Sequence, residues 1–145
     1  MSEMSNYLED ELIKHIFRTG SFTKPSVLAI CLLTAATNDA GVGQFSTGSG
    51  TEVANSGSYA RKECNPADAN WTATAGGDGQ TDNAAAITFT AATGSWGTVT
   101  DMAICDSSTY DAGNMLFFTG LGTSKAIDSG DTAEFAAGAI TVTLA

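Results

Sequence analysis

One histidine, His15, is all the imidazole among 145 residues. Nucleophilic catalysis of the Ser-His-Asp or Cys-His kind needs a histidine base. His15 stands beside Lys14 in a helical stretch, where it fits the helix dipole as a surface residue. Cations are scarce too: 6 Lys and Arg face 16 Asp and Glu, for a net charge of −10. That balance argues against nucleic acid, whose binders need a basic footprint to displace counterions. It argues equally against an anionic membrane surface. Charged residues are only 15% of the chain, so few internal ion pairs are expected and stability should rest on apolar burial. No stretch approaches the ~18 consecutive apolar residues of a membrane span. The acidic, polar start Met-Ser-Glu-Met-Ser-Asn does not read as a secretory signal. The cysteines, Cys31, Cys64 and Cys105, are 3 in number and show no paired spacing. They read as free buried thiols made in a reducing compartment, with a Cys31–Cys105 disulfide as the alternative. Zinc wants clustered Cys and His ligands, and there is no CxxC. No phosphate-cradling glycine loop with a lysine occurs.

What the chain does have is alternation. In residues 84–145, Ile87 and Phe89 alternate with Thr88 and Thr90, and Ile140, Val142 and Leu144 with Thr141 and Thr143. This is the pattern of strands with one face on a core and one in water, and threonine suits the outer face. From Met102 to Cys105 both parities are apolar, which predicts a central strand. Glycines 94, 113, 120, 122, 130 and 138 punctuate the segment. About four or five antiparallel strands are expected here, forming the core sheet.

Before them, residues 5–19 predict a helix. Ser5 or Asn6 can cap it, and Asn6 with Glu9 has capping-box spacing. Leu8, Leu12 and Ile16, widened by Ile13 and Phe17, form an apolar stripe. Such a stripe usually packs on the sheet; the alternative is a helix that grips a neighbouring subunit. Residues 26–34 are apolar on both parities and predict a buried strand, or else a short buried helix. Residues 38–58, rich in Gly, Ser and Thr, predict a long surface loop. Residues 59–64 predict a short edge strand. Its Arg61 and Lys62 either blunt the edge by charge or contact an acidic neighbour. Residues 65–83 predict a second loop with Trp71 at the sheet edge. Asp78 and Asp82 there leave calcium open, although the spacing of the common calcium loop is missing. Sixteen acids allow so many carboxylate pairs that none points to glycoside cleavage. The expectation is therefore one domain over 1–145, mainly β: an antiparallel β-sandwich, jelly-roll-like among its forms, with one N-terminal α-helix. No catalytic residue, cofactor or metal is assigned.

Five stretches carry a resemblance. They are residues 7–17 (Tyr-Leu-Glu-Asp-Glu-Leu-Ile-Lys-His-Ile-Phe), residues 25–34, Gly57-Ser58-Tyr59-Ala60-Arg61, residues 87–106 with Gly94, Trp96 and Gly97, and residues 130–144. In that order the chain resembles small virion proteins of tailed bacteriophages of the head-decoration (cement) and tail-fibre-like kind, which have no catalytic residues to carry over. The resemblance implies a structural protein of the virion, made in the host bacterial cytoplasm. It would bind the major capsid protein on the outer surface of the head and self-associate, as a homotrimer. A tail fibre or tail adaptor subunit is the alternative. A carbohydrate-binding adhesion module, with Trp71 or Trp96 as the sugar platform, is a third reading. An acidic, lysine-poor domain suits a virion exterior, where attraction to DNA would be a liability. The contact candidates are Leu8, Leu12, Arg61, Lys62, Trp71 and the 38–58 loop.

Overall fold

A computed structural model describes residues 3–37, 52–74 and 79–144. The elements in order are β1 (Glu3–Met4), α1 (Asn6–Phe17), β2 (Ala29–Leu33), β3 (Lys62–Glu63), β4 (Gln80–Asp82), β5 (Ile87–Thr88), β6 (Gly97–Cys105), β7 (Met115–Ile127), β8 (Glu134–Phe135) and β9 (Thr141–Thr143). A five-stranded antiparallel sheet runs β1-β7-β6-β2-β3. Two two-stranded ribbons, β4-β9 and β5-β8, accompany it. The fold is mainly β with one described helix, as its alternation predicts. The five strands of the second half do not share one sheet, however. Only β6 and β7 join the large sheet, while β5, β8 and β9 supply the ribbons.

Register explains why β2 is apolar on both parities. Ile30 lies opposite Ile104 and Leu32 opposite Met102 on one face; Cys31 lies opposite Ala103 on the other. All five β2 residues are buried. The first face packs with Phe89, Trp96, Ile127, Ile140 and Val142 in the main core, to which the ribbons contribute. The second face is a smaller cluster of Cys31, Leu33, Ala103, Cys105, Met115 and Phe118. The β6 strand is the middle of the five, as its doubled apolar parity predicts. Ile87 and Phe89 are buried while Thr88 and Thr90 are exposed, and Ile140 and Val142 are buried beside an exposed Thr141. Leu144 breaks the pattern and is 51% exposed, because it lies beyond the last ladder pair, Gln80–Thr143.

Polar residues tie the layers. Asn83 is fully buried. Its side-chain amide donates to Ala85 O and Ala136 O, both at 2.8 Å, and its Oδ1 accepts the Ile140 N–H at 2.8 Å. Gly113, at φ +77, closes the turn between β6 and β7 so tightly that a Cβ there would collide with Ser107 and Asp106. All three cysteines are free and buried. The Cys31 and Cys105 sulfurs lie 2.7 Å apart, and burial, aided by Cys105, raises the Cys31 thiol well above its ordinary pKa.

Candidate interaction surface

The N-terminal helix is fastened at its base and free at its tip. Ser5 is fully buried. Its N–H donates to Leu116 O at 2.9 Å, its hydroxyl donates to Met115 O, and its Oγ accepts the Leu8 N–H at 3.3 Å. Ser5 is thus both the cap of α1 and the joint to β7. The helix runs to Phe17 and not to residue 19, because Arg18 turns extended and the chain doubles back. The Phe22 N–H then donates to His15 Nδ1 at 3.2 Å, so His15 ties the return segment to the helix as an exposed residue. The apolar stripe packs on the body only at its start: Leu8 is buried and Leu12 half-buried. Ile13, Ile16 and Phe17 are 54%, 65% and 79% exposed. This corrects the expectation that the whole stripe covers the sheet.

Arg61 is the second correction. Its side chain is 0% exposed and makes an ion pair with Glu52, with Nε to Oε1 at 2.8 Å. A second prong runs from Nη2 to Oε2 at 2.8 Å. Nη1 donates to Ser107 O at 2.9 Å and Ala112 O at 2.7 Å. Tyr59 completes the cluster: its hydroxyl donates to Glu52 Oε1 at 3.1 Å and accepts the Leu32 N–H at 3.0 Å. Burial works against the guanidinium charge, but the hydrogen bonds to Glu52 outweigh it and hold the Arg61 pKa above its ordinary value. Burial chiefly, with the charge of Glu52 assisting, pushes the Tyr59 phenol up. Arg61 cannot contact an acidic partner because an internal carboxylate already occupies its planar fork. Lys62, one residue on, is exposed on the edge strand β3. The two neighbouring cations therefore have opposite fates: Arg61, just before β3, is drawn in to Glu52, and Lys62 stays out.

Trp71 is half-buried. Its Nε1–H donates to Cys64 O at 3.0 Å, and its ring packs against the main core, closing one side of a cavity of about 160 Å³ with Leu28, Ile104, Phe117 and Val142. Trp96 is only 5% exposed. Tyr59 and Phe89 meet its ring edge-on at 5.3 and 6.2 Å, and its Nε1–H donates to Gly57 O at 2.8 Å. A buried ring cannot stack on a sugar, so Trp96 is no platform. Of the 38–58 loop, residues 38–51 lie outside the described residues, as does Asp78. Asp82 is half-buried in β4, where its N–H donates to Thr72 Oγ1 at 2.9 Å. Among the described residues no three His, Cys, Asp or Glu side chains gather as a metal site.

An apolar groove of about 330 Å³ opens on the far half of β7, bounded by Val99, Leu121, Ile127, Ala133 and Phe135, with Glu134 and Lys125 on its border. The sequence marks no groove there, because its walls come from strands paired in different sheets. Nor does it reveal Glu52 as the partner of Arg61. The only hint is Val53 and Tyr59, apolar residues amid a Gly- and Ser-rich stretch.

The candidate residues are thus not brought together. Leu8 and Leu12 sit at the base of the arm, Lys62 on a distant edge, Trp71 against the main core and Arg61 inside. Among curated proteins none matches the chain. A family profile does, over residues 3–143, and its description is Podophage GP4 fiber I protein gp80. With nearly its whole length matched, the chain belongs to this family of phage fibre proteins, structural components of the virion.

Proposed function

We propose that the chain is a non-enzymatic fibre subunit, built to adhere to copies of itself and to another virion protein. The observation that carries this reading is the arm: three large apolar side chains, Ile13, Ile16 and Phe17, stand more than half exposed on an ordered helix. Contiguous exposed apolar surface on a folded domain marks a contact site. The chemistry agrees. The sole histidine spends Nδ1 on the Phe22 N–H, and the buried ion pair of Glu52 and Arg61 is closed on itself and on two backbone carbonyls. Neither is poised toward a substrate. A symmetric trimer is one closed assembly open to such a subunit.

A second reading keeps the same fold on the outer head, as a cement protein bound to the major capsid protein. The net charge of −10 favours an exterior position of either kind. Purified virions separate the two readings. Quantitative mass spectrometry and electron cryo-microscopy should find a handful of copies at the tail; hundreds of copies over the shell would establish the cement role. Absence of the chain from virions would end both.

A further inference from the structure

From Ile13 to Ser21 every residue is exposed, and of residues 6–24 only Leu8 is buried. The tip is nonetheless ordered by its own bonds: Arg18 N–H to Lys14 O at 3.1 Å and Phe22 N–H to His15 Nδ1 at 3.2 Å. Residues 12–24 hold Lys14, Arg18 and Lys24, half of the 6 basic residues, and none of the 16 acids. Lys14 is bridged to Glu11 at 2.8 Å. The arm is therefore an apolar and basic projection on an acidic protein.

The groove on β7 has the opposite character. Its walls are mainly apolar, with Thr123, Lys125 and Thr132 among them, and the exposed carboxylates Asp128, Asp131 and Glu134 follow one another from the end of β7 to the start of β8. Its volume, about 330 Å³, exceeds that of one phenylalanine side chain. The arm does not fill the groove of its own chain, since Phe17 is 79% exposed.

We propose that the arm of one copy seats in the groove of the next. Phe17, flanked by Ile13 and Ile16, enters between Leu121 and Phe135, while Arg18 and Lys24 face Asp128, Asp131 and Glu134. The knob and the hole lie on different surfaces, so the contact is heterologous and closes into a ring or runs on as a filament. Three carboxylates against Lys125 leave the groove side net acidic, where the arm is net basic. Charge complementarity matters most here, because two molecules this acidic repel each other everywhere else.

The test uses the purified full chain and does not depend on where the protein sits in a virion. A monomeric chain would overturn this inference and leave the virion placement standing. A photo-cross-linking phenylalanine analogue at position 17 should join copies, with peptides 121–135 as the captured site. Capture of residues 6–24 of the other copy, or no capture between copies, overturns the arm-in-groove contact. In sedimentation velocity, Phe17→Asp and Ile16→Asp should each weaken self-association roughly thirtyfold or more. Both side chains are exposed, so the circular dichroism spectrum should not change. Arg18→Glu and Glu134→Arg should each weaken assembly, and the two together in one chain should restore it. Failure of the double variant to recover refutes the pairing.

Discussion

Removing the guanidinium of Arg61 tests the polar centre of the fold most directly. In Arg61→Met the Glu52 carboxylate, 6% exposed, loses both prongs of its partner. Ser107 O and Ala112 O lose their donor at the same time. Breaking a buried pair from one side costs about 3–5 kcal/mol, because the charge left behind has neither water nor a counterion. For a chain of this length that corresponds to a drop of roughly 10–20 °C in Tm. Glu52→Leu should cost a similar amount, since it strands the cation instead. The double variant Arg61→Met/Glu52→Leu removes both charges and leaves the two carbonyls and the Tyr59 hydroxyl without these partners, about 2 kcal/mol below the parent protein once the relieved desolvation of the two charges is counted. The singles added together would give roughly 6–10 kcal/mol, so the double variant should be far more stable than additivity allows and more stable than either single.

Urea unfolding followed by tryptophan fluorescence supplies the free energies through a linear extrapolation, and the four proteins close a double-mutant cycle. Raising the salt concentration should barely alter the coupling, because a pair excluded from water is little screened. Arg61→Lys should resemble Arg61→Met more than the parent, since an ammonium cannot span the carboxylate and two carbonyls at once. If Arg61→Met costs under about 1 kcal/mol, or if the cycle is additive, the pair does not act as a buried unit and the reasoning fails.

Three further outcomes follow from the same structure. Ser5→Ala removes the cap and the joint to β7, at about 1–2 kcal/mol. Hydrogen exchange should quicken over residues 8–17 while the β2 and β6 amides stay protected, and uniform quickening would refute a local role. The native thiols should resist an aromatic disulfide reagent at pH 8, because burial raises the Cys31 and Cys64 pKa values and suppresses the thiolates. Unfolding in guanidinium should release all 3 thiols; a single reactive thiol would mean that Cys31 and Cys105 are joined. Trp96→Ala should cost about 3–5 kcal/mol. In a Trp71→Phe background the remaining Trp96 emission should be blue-shifted and shielded from acrylamide, and a glycan that quenches it in the folded protein would contradict its burial.

Much of this architecture was legible where one periodic rule governs a whole segment. Ile87, Phe89, Ile140 and Val142 fall on the core face because period-two alternation leaves a strand no other choice. The doubled apolar parity of β2 and of Met102–Cys105 likewise reflects burial on both faces. Which strand pairs with which is a different matter. The β5, β8 and β9 strands are two or three residues long, too short to carry a register signal of their own, and the turns decide their partners. The arm was half legible. Its stripe is real, but amphipathicity shows only that a face will be covered, not that the same chain covers it. Arg61 and Lys62 were the hardest to separate. As neighbours on an edge strand they look alike, and the difference comes from Glu52, nine positions earlier, meeting one of them across a turn.

That separation has a consequence for assembly. Of the 6 basic residues, Arg61 alone is buried; Lys14, Arg18, Lys24, Lys62 and Lys125 are all exposed. A chain with a net charge of −10 repels its own copies at every approach except one that brings cations against carboxylates. Three of the five exposed cations lie on the arm, which also carries three of the five exposed large hydrophobics among the described residues. Apolar contact and charge relief thus coincide on one projection. The two uses of basic charge should separate by ionic strength. At physiological salt the screening length is about 8 Å, and it falls to about 3 Å at 1 M. High salt should then loosen contacts made by Arg18 and Lys24 while leaving the Arg61–Glu52 pair, and with it the fold, intact. A protein whose self-association and thermal stability fell together with added salt would have its charges arranged on some other plan.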